Sequence, residues 1–417
     1  RRLWKELMAR PVYHNGGLDE AVKKILADIK TRGDEAVNEY ALQFDKVGFR
    51  NPLVNTSDLD KAEGQLDDKL KQAIIQAKQN ITVFHQNQMI SEPCIETGPG
   101  IKCWRRSVAI EKIGLYIPGG TAPLFSTMLM LGIPATLAGC EEIIICTPPQ
   151  KDGTIHPAIL YSAKLMGIRK VFKVGGVQAI GAMAYGTETI PAVYKIFGPG
   201  NQYVTHAKKL IQQEGVAIDM PAGPSELAVY ADDTAVPAYV AADLLSQCEH
   251  GSDSQVLLVT DNRNFAEEVN IALKQQIEKL PRKSIALNAL ENSKIILITD
   301  RAVAMDYLNA YAPEHLILVC ANAEEMADSV RNAGSVFIGN FAPESAGDYA
   351  SGTNHTLPTN GYAKAYSGVS IDSFVKKISF QQLTREGLQS IGHTIIEMAT
   401  AEGLDAHAKA VEIRFEN

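Results

Sequence analysis

Apolar residues recur at helical spacing through the first part of the chain. Between residues 19 and 44 they fall three or four positions apart, and the same spacing continues from residue 59 to residue 84. The pattern predicts a mostly helical N-terminal arm over residues 1–109. For such an arm, scaffolding or contact with a second subunit is a much better interpretation than chemistry.

The pattern changes near Ile110, where short apolar runs begin to alternate with helical stretches. This alternation is typical of parallel α/β sheets, and each short run predicts a strand. The runs are residues 113–117, 142–146, 170–174, 192–197, 226–230, 255–260, 294–298, 315–319 and 335–338. Nine strands fit two sheets better than one, and the acidic turn at 231–233 predicts the break between them.

These patterns divide the chain into four predicted parts. The arm is followed by a first α/β domain over residues 110–232 and by a second over residues 233–378. Helical spacing returns at Ser379 and predicts a helical tail over residues 379–417. The fold class predicted from pattern alone is therefore α/β, with helical segments at both ends. No internal repeat is clear enough to assert.

Composition narrows the class of protein further. The net charge of -8 leaves no basic surface of the kind that nucleic acids or anionic membranes require. No apolar run reaches the ~18 residues of a membrane-spanning helix, and residues 1–11 contain no apolar core of a signal peptide. The six cysteines include no CxxC pair, which favours free thiols in the reducing cytoplasm.

Four segments rich in glycine and proline follow predicted strands. They are residues 117–123, 174–178, 197–201 and 220–225. Ligands of open α/β sheets bind beside the carboxyl ends of strands, where glycines let backbone N–H groups approach a phosphate. The common dinucleotide and ATP fingerprints are absent, and each loop alone fits a tight turn equally well. Four such loops together nevertheless predict a ligand-binding rim.

Two further segments contain side chains that can bind a metal. Gln247 and His250 share one face at the end of a predicted helix, although a polar helix end capped by Gly251 explains them equally well. Cys248 faces another side of that helix, which disfavours a thiolate site. Residues 343–358 form a loop dense in acidic, hydroxyl and histidine side chains, and such loops are usually functional.

Glu314 and His315 stand at the entry of a predicted strand, where both side chains could reach one cavity. An imidazole titrates near neutral pH and a carboxylate can activate water, so the two form a candidate acid–base pair. The alternative for His315 is a structural histidine at a strand edge. Near the C-terminus, Glu402 and His407 would diverge by about 140° on a regular helix, which by itself favours a solvated tail.

Taken together, these segments resemble histidinol dehydrogenase over nearly the whole chain. The resemblance is carried by residues 114–120, 197–201, 219–226, 246–251, 313–316 and 343–358. The stretch Gly-Asp-Tyr-Ala-Ser-Gly-Thr-Asn-His at 347–355 is far more specific than any shorter pattern. The resemblance implies two incomplete Rossmann-like α/β domains between the helical arm and tail, which would account for the missing fingerprints.

The resemblance also implies a reaction and a set of site residues. L-Histidinol would be oxidised through L-histidinal to L-histidine with NAD⁺, the last steps of histidine biosynthesis. His315 would act as the base of the alcohol step, and Glu314 would activate water for the aldehyde step. One Zn²⁺ per subunit would be held by Gln247, His250, Asp348 and His407. Substrate would contact Ser225, Gln247, His250, His315, Asp348, His355, Glu402 and His407. NAD would contact Tyr116, Gln178 and Asn201.

The resemblance further implies a cytoplasmic homodimer in which the tail of each subunit enters the active site of the other. This arrangement would give Glu402 and His407 a role that their spacing alone does not indicate. Departures from the family pattern are small: Cys248 stands where alanine is expected, and the loop at 149–154 is slightly long. Because every expected site residue is present, we expect an active enzyme.

Other classes of protein stay open on sequence alone. A metallohydrolase could use a metal, a glutamate and a histidine to activate water, but it would leave the glycine-rich rim unexplained. A two-lobed binding protein would bind its ligand without turnover. The nearest enzymatic alternative is a related dehydrogenase that acts on a sulfonated propanediol.

Overall fold

The computed structural model divides the chain into two compact units. The described residues are 3–11, 16–119 and 123–416. The first unit comprises Arg1–Gln88 and Ile110–Phe374, and the second comprises Met89–Ala109 and Val375–Asn417. Within the first predicted glycine-rich loop, residues 120–122 lie outside the described residues.

The first unit contains two sheets surrounded by helices. Its strands are β3 (Lys112–Tyr116), β4 (Glu142–Thr147), β5 (Lys170–Lys173), β6 (Lys195–Phe197), β7 (Ala217–Ile218), β8 (Glu226–Ala231), β9 (Gln255–Thr260), β10 (Lys294–Leu297), β11 (His315–Val319) and β12 (Ser335–Ile338). Its helices are α1 (Trp4–Leu7), α2 (Leu18–Arg32), α3 (Asp34–Phe44), α4 (Thr56–Lys61), α5 (Asp68–Gln86), α6 (Phe125–Ala138), α7 (Pro157–Leu165), α8 (Gly176–Tyr185), α9 (Gln202–Gln213), α10 (Pro237–Cys248), α11 (Arg263–Ile277), α12 (Lys283–Glu291), α13 (Arg301–Tyr311), α14 (Ala323–Ala327) and α15 (Glu344–Tyr349). Short 3₁₀ helices span Ala62–Gln65, Tyr362–Lys364 and Ile371–Phe374.

The two sheets are parallel and share one topology. The first has the order β5-β4-β3-β6-β7 and the second has the order β10-β9-β8-β11-β12. Numbered within each sheet, both read 3-2-1-4-5, so the strand order reverses between β3 and β6 and again between β8 and β11. Such reversal points are where open α/β sheets bind ligands. The predicted α/β fold class is therefore confirmed.

The inner strands of both sheets are buried on two faces. In β8, alternate residues such as Leu227 and Val229 enter one apolar cluster, while Ala228 and Tyr230 enter another. Helices cover both faces, as parallel sheets require. This double burial explains why the inner strands appear as apolar runs in the sequence, whereas the edge strands β5, β10 and β12 are partly exposed.

One strand lies in a different sheet from the one predicted. The sequence analysis placed the break after residue 230, but β8 pairs with β9 and β11 and is the central strand of the second sheet. The change of sheet thus occurs in the segment between β7 and β8. The acidic turn at 231–233 comes at the end of the first strand of the second sheet. This turn resembles a domain boundary only in its composition.

The N-terminal arm forms several short helices. Gly33 separates α2 from α3 with a φ of 53°, a conformation that glycine adopts at low cost. The apolar face of α2, which includes Ile25 and Ile29, packs with buried residues of α8 into the core of the first sheet. The single helix predicted over residues 19–44 is therefore wrong at Gly33, and the arm supports the first sheet.

The second unit contains an antiparallel sheet that the sequence analysis missed. Its elements are β1 (Ile95–Gly98), β2 (Ile101–Ala109), β13 (Val375–Leu383), α16 (Arg385–Ala401) and α17 (Asp405–Glu412). Most residues of β2 and β13 are exposed or half-buried, so their apolar positions show little alternation. The predictions of helix up to residue 109 and again from Ser379 are wrong for these strands, and the tail helix begins at Arg385.

Among the described residues, no helix is both long enough and apolar enough to cross a lipid bilayer.

Candidate active site

The predicted acid–base pair lies at the amino end of the second sheet. Glu314 immediately precedes β11, and His315 is its first residue. The neighbouring strand β8 begins with Glu226, and the two strands adjoin at the reversal point of the sheet. Ligands of such sheets usually bind at the carboxyl ends of strands. The rule applied in the sequence analysis therefore does not describe this half of the site.

The main chain of Glu226 orients both members of the pair. Its N–H donates to Glu314 Oε2 at 2.9 Å, and its carbonyl oxygen lies 3.3 Å from His315 Nδ1. A proton on Nδ1 satisfies that carbonyl and leaves the lone pair on Nε2. His315 Nε2 is buried, has no hydrogen-bond partner among the described residues and lies 3.7 Å from Asp348 Oδ1. In the neutral imidazole this nitrogen therefore carries the lone pair and is the one that can accept a proton.

The side chain of Glu226 is also buried, and Arg10 of the N-terminal arm neutralises its charge. Arg10 forms a two-pronged ion pair with it, with Nη2 at 3.0 Å from Oε2. The same Arg10 nitrogen donates to the Tyr311 carbonyl at 2.9 Å, and the guanidinium lies 4.1 Å from the centre of the Tyr311 ring. The arm thus supplies the positive charge that pairs with the buried carboxylate of Glu226, the residue whose main chain orients the acid–base pair.

We expect Arg10→Ala to lower the free energy of unfolding by about 3–5 kcal/mol, because it leaves the Glu226 carboxylate buried without its cation. Urea unfolding of the purified protein measures this change. The double variant R10M/E226Q removes both charges and should recover most of the loss. A double variant no more stable than Arg10→Ala would show that Arg10 acts through packing alone.

Helix α10 brings the predicted metal residues to the same point. Val240, Leu244 and Cys248 of this helix enter the core of the second sheet, so Gln247 at its last turn faces the acid–base pair. His250 follows in the closing turn, where its N–H donates to the Gln247 carbonyl at 3.3 Å. Cys248 is buried in this core.

The segment predicted as a loop at 343–358 begins with a helix, α15. Glu344 and Asp348 are four residues apart on it and share one face. Their carboxylates and the His250 imidazole have possible ligand atoms that all lie within 4.8 Å of one another. The loop prediction is therefore wrong for Glu344–Tyr349. Glu344 was not predicted as a site residue, although its spacing from Asp348 was a usable signal.

The Gln247 carboxamide lies between two of the buried carboxylates. Its nitrogen can donate to Glu344 Oε2 at 3.0 Å while its oxygen accepts from the Glu226 N–H at 3.0 Å, an arrangement that satisfies both polar atoms. In this orientation the Gln247 oxygen, not its nitrogen, is the amide atom that lies 3.4 Å from Glu314 Oε2. Gln247 therefore links the acid–base pair to the cluster on α15.

The site carries an excess of buried negative charge. Burial raises the pKa of Glu314 to about 7 and that of Glu344 to about 8, with repulsion from Asp348 adding to both. Burial alone would lower the pKa of His315, but Glu314, Glu344 and Asp348 outweigh it and raise this pKa to about 10. Carboxylate, amide and imidazole donors around such a charge fit a divalent cation such as Zn²⁺.

His355 connects this cluster to the first sheet. Its Nδ1 lies 3.0 Å from the Asp348 carbonyl, and its Nε2 lies 3.1 Å from Thr127 Oγ1, in the first turn of α6. Ser225, half-buried, immediately precedes Glu226. The structure therefore brings together six predicted residues and places a seventh, Ser225, beside the Glu226 main chain that orients the acid–base pair. The six are Gln247, His250, Glu314, His315, Asp348 and His355.

The predicted NAD residues lie at the carboxyl end of the first sheet. Tyr116 ends β3, and its hydroxyl accepts from the Gly176 N–H at 3.1 Å. Gln178 is buried in the first turn of α8, and its Nε2 lies 3.3 Å from Asp45 Oδ2. Asn201 caps α9 by accepting from two backbone N–H groups. Capping alone explains Asn201, so its predicted role in binding NAD has no further support from its contacts.

The loop before Asn201 is held rigidly against β3. Gly198 has a φ of 128°, and a side chain there would collide with the Tyr116 carbonyl. Its carbonyl accepts from Lys208 Nζ at 2.8 Å, and its N–H donates to Asp219 Oδ2 at 2.8 Å. Lys208 and Asp219 form a buried ion pair with each other. The glycine-rich rim predicted here is therefore a fixed surface.

Glu402 and His407 belong to the second unit. Glu402 caps the end of α16 and His407 lies in the first turn of α17, and both side chains are exposed. Their roles as substrate and metal residues stay predictions.

The fold and the site define a class of enzyme. One parallel sheet carries a buried histidine with a set of carboxylates and metal-type donors, and the other has a glycine-rich strand edge suited to a dinucleotide. Such a combination is typical of a metal-assisted dehydrogenase.

Comparison with known proteins identifies the family within this class. Residues 8–415 match the family model for histidinol dehydrogenase. The chain is 57% identical over 411 residues to histidinol dehydrogenase from Bacteroides thetaiotaomicron, covering 99% of this chain and 96% of that protein. The crystal structure of the histidinol dehydrogenase from Elizabethkingia anophelis superimposes with a TM-score of 0.97 at 54% identity, covering 100% of this chain and 96% of the other. The chain belongs to the histidinol dehydrogenase family, oxidoreductases of histidine biosynthesis, which confirms the resemblance seen in its sequence.

Proposed function

We propose that this protein oxidises L-histidinol through L-histidinal to L-histidine, reducing two NAD⁺ in succession. The observation that carries the proposal is the unpaired, buried Nε2 of His315 beside Glu314, within one cluster of metal-type donors. A single base would suffice for an alcohol, whereas a second, carboxylate base is what an aldehyde step needs to activate water.

In the alcohol step, His315 acts as the general base. Its Nε2 takes the hydroxyl proton while the carbon-bound hydrogen leaves as hydride for NAD⁺, giving the aldehyde and NADH. The Glu226 carbonyl holds the Nδ1 proton and so keeps the lone pair on Nε2. Glu314, at 3.6 Å from Nδ1, stabilises the imidazolium that forms.

In the aldehyde step, Glu314 takes over as the base. Its carboxylate accepts a proton from water as the water oxygen bonds to the aldehyde carbon, and the His315 imidazolium returns its proton to the aldehyde oxygen, which gives the hydrate. A second hydride then leaves the hydrate carbon for a second NAD⁺ as His315 Nε2 takes a hydroxyl proton, and the carboxylic acid of L-histidine is formed. Burial that raises the pKa of Glu314 to about 7 gives it the strength of a base suited to neutral pH.

The donor cluster is the proposed zinc site. We assign Gln247, His250, Asp348 and His407 as ligands, with Glu344 beside them as a buried carboxylate that strengthens binding. When bound, the ion would orient the substrate and offset the negative charge that raises the pKa of His315. Ser225, His355 and Glu402 are proposed to hold the substrate.

We expect a chelator to abolish turnover and added zinc to restore it. Glu344→Gln should bind zinc about 10- to 100-fold more weakly, because it removes a carboxylate that lies within the donor cluster. Competition with a zinc-sensitive dye measures this affinity without any substrate. Glu324→Gln, which removes an exposed carboxylate on α14, is the control and should bind zinc like the wild type. Unchanged zinc affinity in Glu344→Gln would remove Glu344 from the site.

The dinucleotide is proposed to bind at the carboxyl end of the first sheet, against Tyr116, Gln178 and Asn201. Supporting this, three glycine-rich loops converge there, and Pro148 fills the space between two of them. A side chain at Gly119 or Gly175 would approach Pro148 to 2.6 or 2.5 Å. His355, linking Asp348 to Thr127 of α6, joins this edge to the acid–base pair.

The protein is further proposed to act as a cytoplasmic homodimer with shared active sites, in which Glu402 and His407 serve the neighbouring subunit. Their exposure leaves both side chains available to another chain. All six cysteines are free, as in a reducing compartment.

The test of the whole proposal is the yield of NADH from a limiting amount of L-histidinol in the presence of zinc. Two NADH per L-histidinol is the expected result. One NADH would reduce the reaction to an alcohol oxidation and remove the role of Glu314. No NADH would direct attention to a sulfonated propanediol, and then to NAD-independent hydrolysis.

A further inference from the structure

Among the described residues, the three that directly follow β4 include no acidic residue, although dinucleotide-binding folds commonly have one near such a strand end. In those folds a carboxylate near the strand ends accepts hydrogen bonds from a ribose. Here β4 is followed by Pro148, Pro149 and Gln150, which carry no carboxylate. Asp152, further along the same loop, is occupied by the hydroxyl and N–H of Thr154, at 2.7 and 2.9 Å.

The N-terminal arm brings a different carboxylate to this edge. The segment after α3 runs antiparallel along β5, since the Val54 N–H donates to the Val171 carbonyl and the Lys173 N–H donates to the Pro52 carbonyl, both at 2.8 Å. Residues before Pro52 therefore extend past the carboxyl end of the strand. Asp45, which caps the end of α3, lies there beside Gln178.

Two hydrogen-bond acceptors meet at this point without enough donors. Asp45 is half-buried, and its carboxylate has a 3.3 Å contact with Gln178 Nε2. Burial raises the pKa of Asp45, and the Gln178 hydrogen bond opposes this only in part. Gln178 Oε1 is buried and has no partner among the described residues. A buried acceptor without a donor is costly, which indicates a ligand that supplies hydroxyl protons.

A phosphate would not fit this pair of acceptors. Its negative charge would lie against the Asp45 carboxylate, and a nearby cation would be needed to offset the repulsion between them. The adjacent basic residue in the chain, Lys46, directs its ammonium group to the Gln43 carbonyl at 2.7 Å. A vicinal diol, in contrast, offers two neutral donors.

We propose that Asp45 accepts hydrogen bonds from the adenosine ribose hydroxyls of NAD⁺ and excludes NADP⁺ by repelling its 2′-phosphate. Gln178 orients the carboxylate through its Nε2 and offers its Oε1 to the same ribose. The inference rests on the proposed function, since it assigns part of the dinucleotide to the edge at Tyr116 and Gln178. It makes the arm a determinant of cofactor specificity.

The test compares binding of NAD⁺ and NADP⁺ by calorimetry, without L-histidinol, for wild type, Asp45→Asn and Glu20→Gln. Asparagine keeps the shape and can still accept from Gln178, but it loses the charge. A hydrogen bond to a charged group is commonly lost at a cost of about tenfold or more in affinity, so NAD⁺ should bind about tenfold more weakly to Asp45→Asn. Its preference for NAD⁺ over NADP⁺ should shrink by about as much. Glu20→Gln, an exposed change on α2, should match the wild type.

Unchanged NAD⁺ affinity and unchanged discrimination against NADP⁺ in a folded Asp45→Asn protein would overturn the inference while leaving the proposed oxidation intact. A wild type that binds neither dinucleotide and yields no NADH from L-histidinol would instead overturn the proposed function, and the inference with it. Thermal unfolding of Asp45→Asn at the wild-type temperature confirms that the measured loss is one of binding.

Discussion

Replacing Glu314 by glutamine is expected to leave the oxidation of L-histidinol to L-histidinal near the wild-type rate and to slow the oxidation of L-histidinal by about 10²–10⁴-fold. Glutamine can still accept from the Glu226 N–H, which Glu314 Oε2 does at 2.9 Å, so the loop before β11 keeps its geometry. It cannot accept a proton from water. Removing its charge also lowers the pKa of His315, which leaves more of the imidazole neutral but stabilises the imidazolium less, so these two effects on the alcohol step oppose each other.

The two half-reactions can be measured separately. Single-turnover experiments with one equivalent of NAD⁺ report the alcohol step, and L-histidinal supplied directly reports the aldehyde step. Glu324→Gln makes the same chemical change at an exposed site and should alter neither rate. Equal losses in the two steps of Glu314→Gln would contradict the division of labour between Glu314 and His315.

The sheets were predictable from the sequence because their inner strands are buried on both faces. Strands such as β9 and β11 are built around a continuous apolar run, and their bounds were predicted to the residue. The antiparallel sheet of the second unit was missed for the opposite reason. β2 carries Lys102, Arg105 and Arg106 among its exposed positions and resembles neither a buried strand nor a helix.

Residue chemistry identified most of the candidate site, but not where it assembles. Glu314 and His315 were predicted from their types and their place before an apolar run. Their meeting with Gln247 and Asp348 depends on how the end of α10, the start of β11 and the face of α15 pack, which no local pattern encodes. Glu344 was missed because its segment was interpreted as a loop, where the spacing of two acids has no meaning.

The arm shows a second limit of sequence patterns. Its helical spacing correctly indicates packing, since α2 is buried against the first sheet. Yet Arg10 and Asp45, which lie outside the apolar stripes of α2 and α3, make the contacts that matter for the sites. The sequence around an isolated charged residue does not indicate which residue, more than a hundred positions away, it contacts in the folded protein.

Mixing two inactive chains is expected to restore activity if the sites are shared. A His315→Ala chain lacks the base, and a His407→Ala chain lacks a proposed metal ligand, so each homodimer should be inactive. In a heterodimer of the two, one site combines the intact base with the intact tail, and the other site carries both changes. A symmetric dimer with two such sites should therefore regain about one half of the wild-type activity. Heterodimers purified through two different affinity tags allow this to be measured.

The converse pairing makes the test decisive. A chain carrying both changes, H315A and H407A, is paired with a wild-type chain. With shared sites, each site then contains one defect, so this heterodimer should be inactive. If instead each site is built from a single chain, the wild-type partner keeps its own site and about one half of the activity remains, while the first pairing gives none. The two models thus predict opposite results in both heterodimers. Because both heterodimers contain the same two substitutions in equal numbers, a difference between the pairings reports where His407 acts rather than how well the subunits associate.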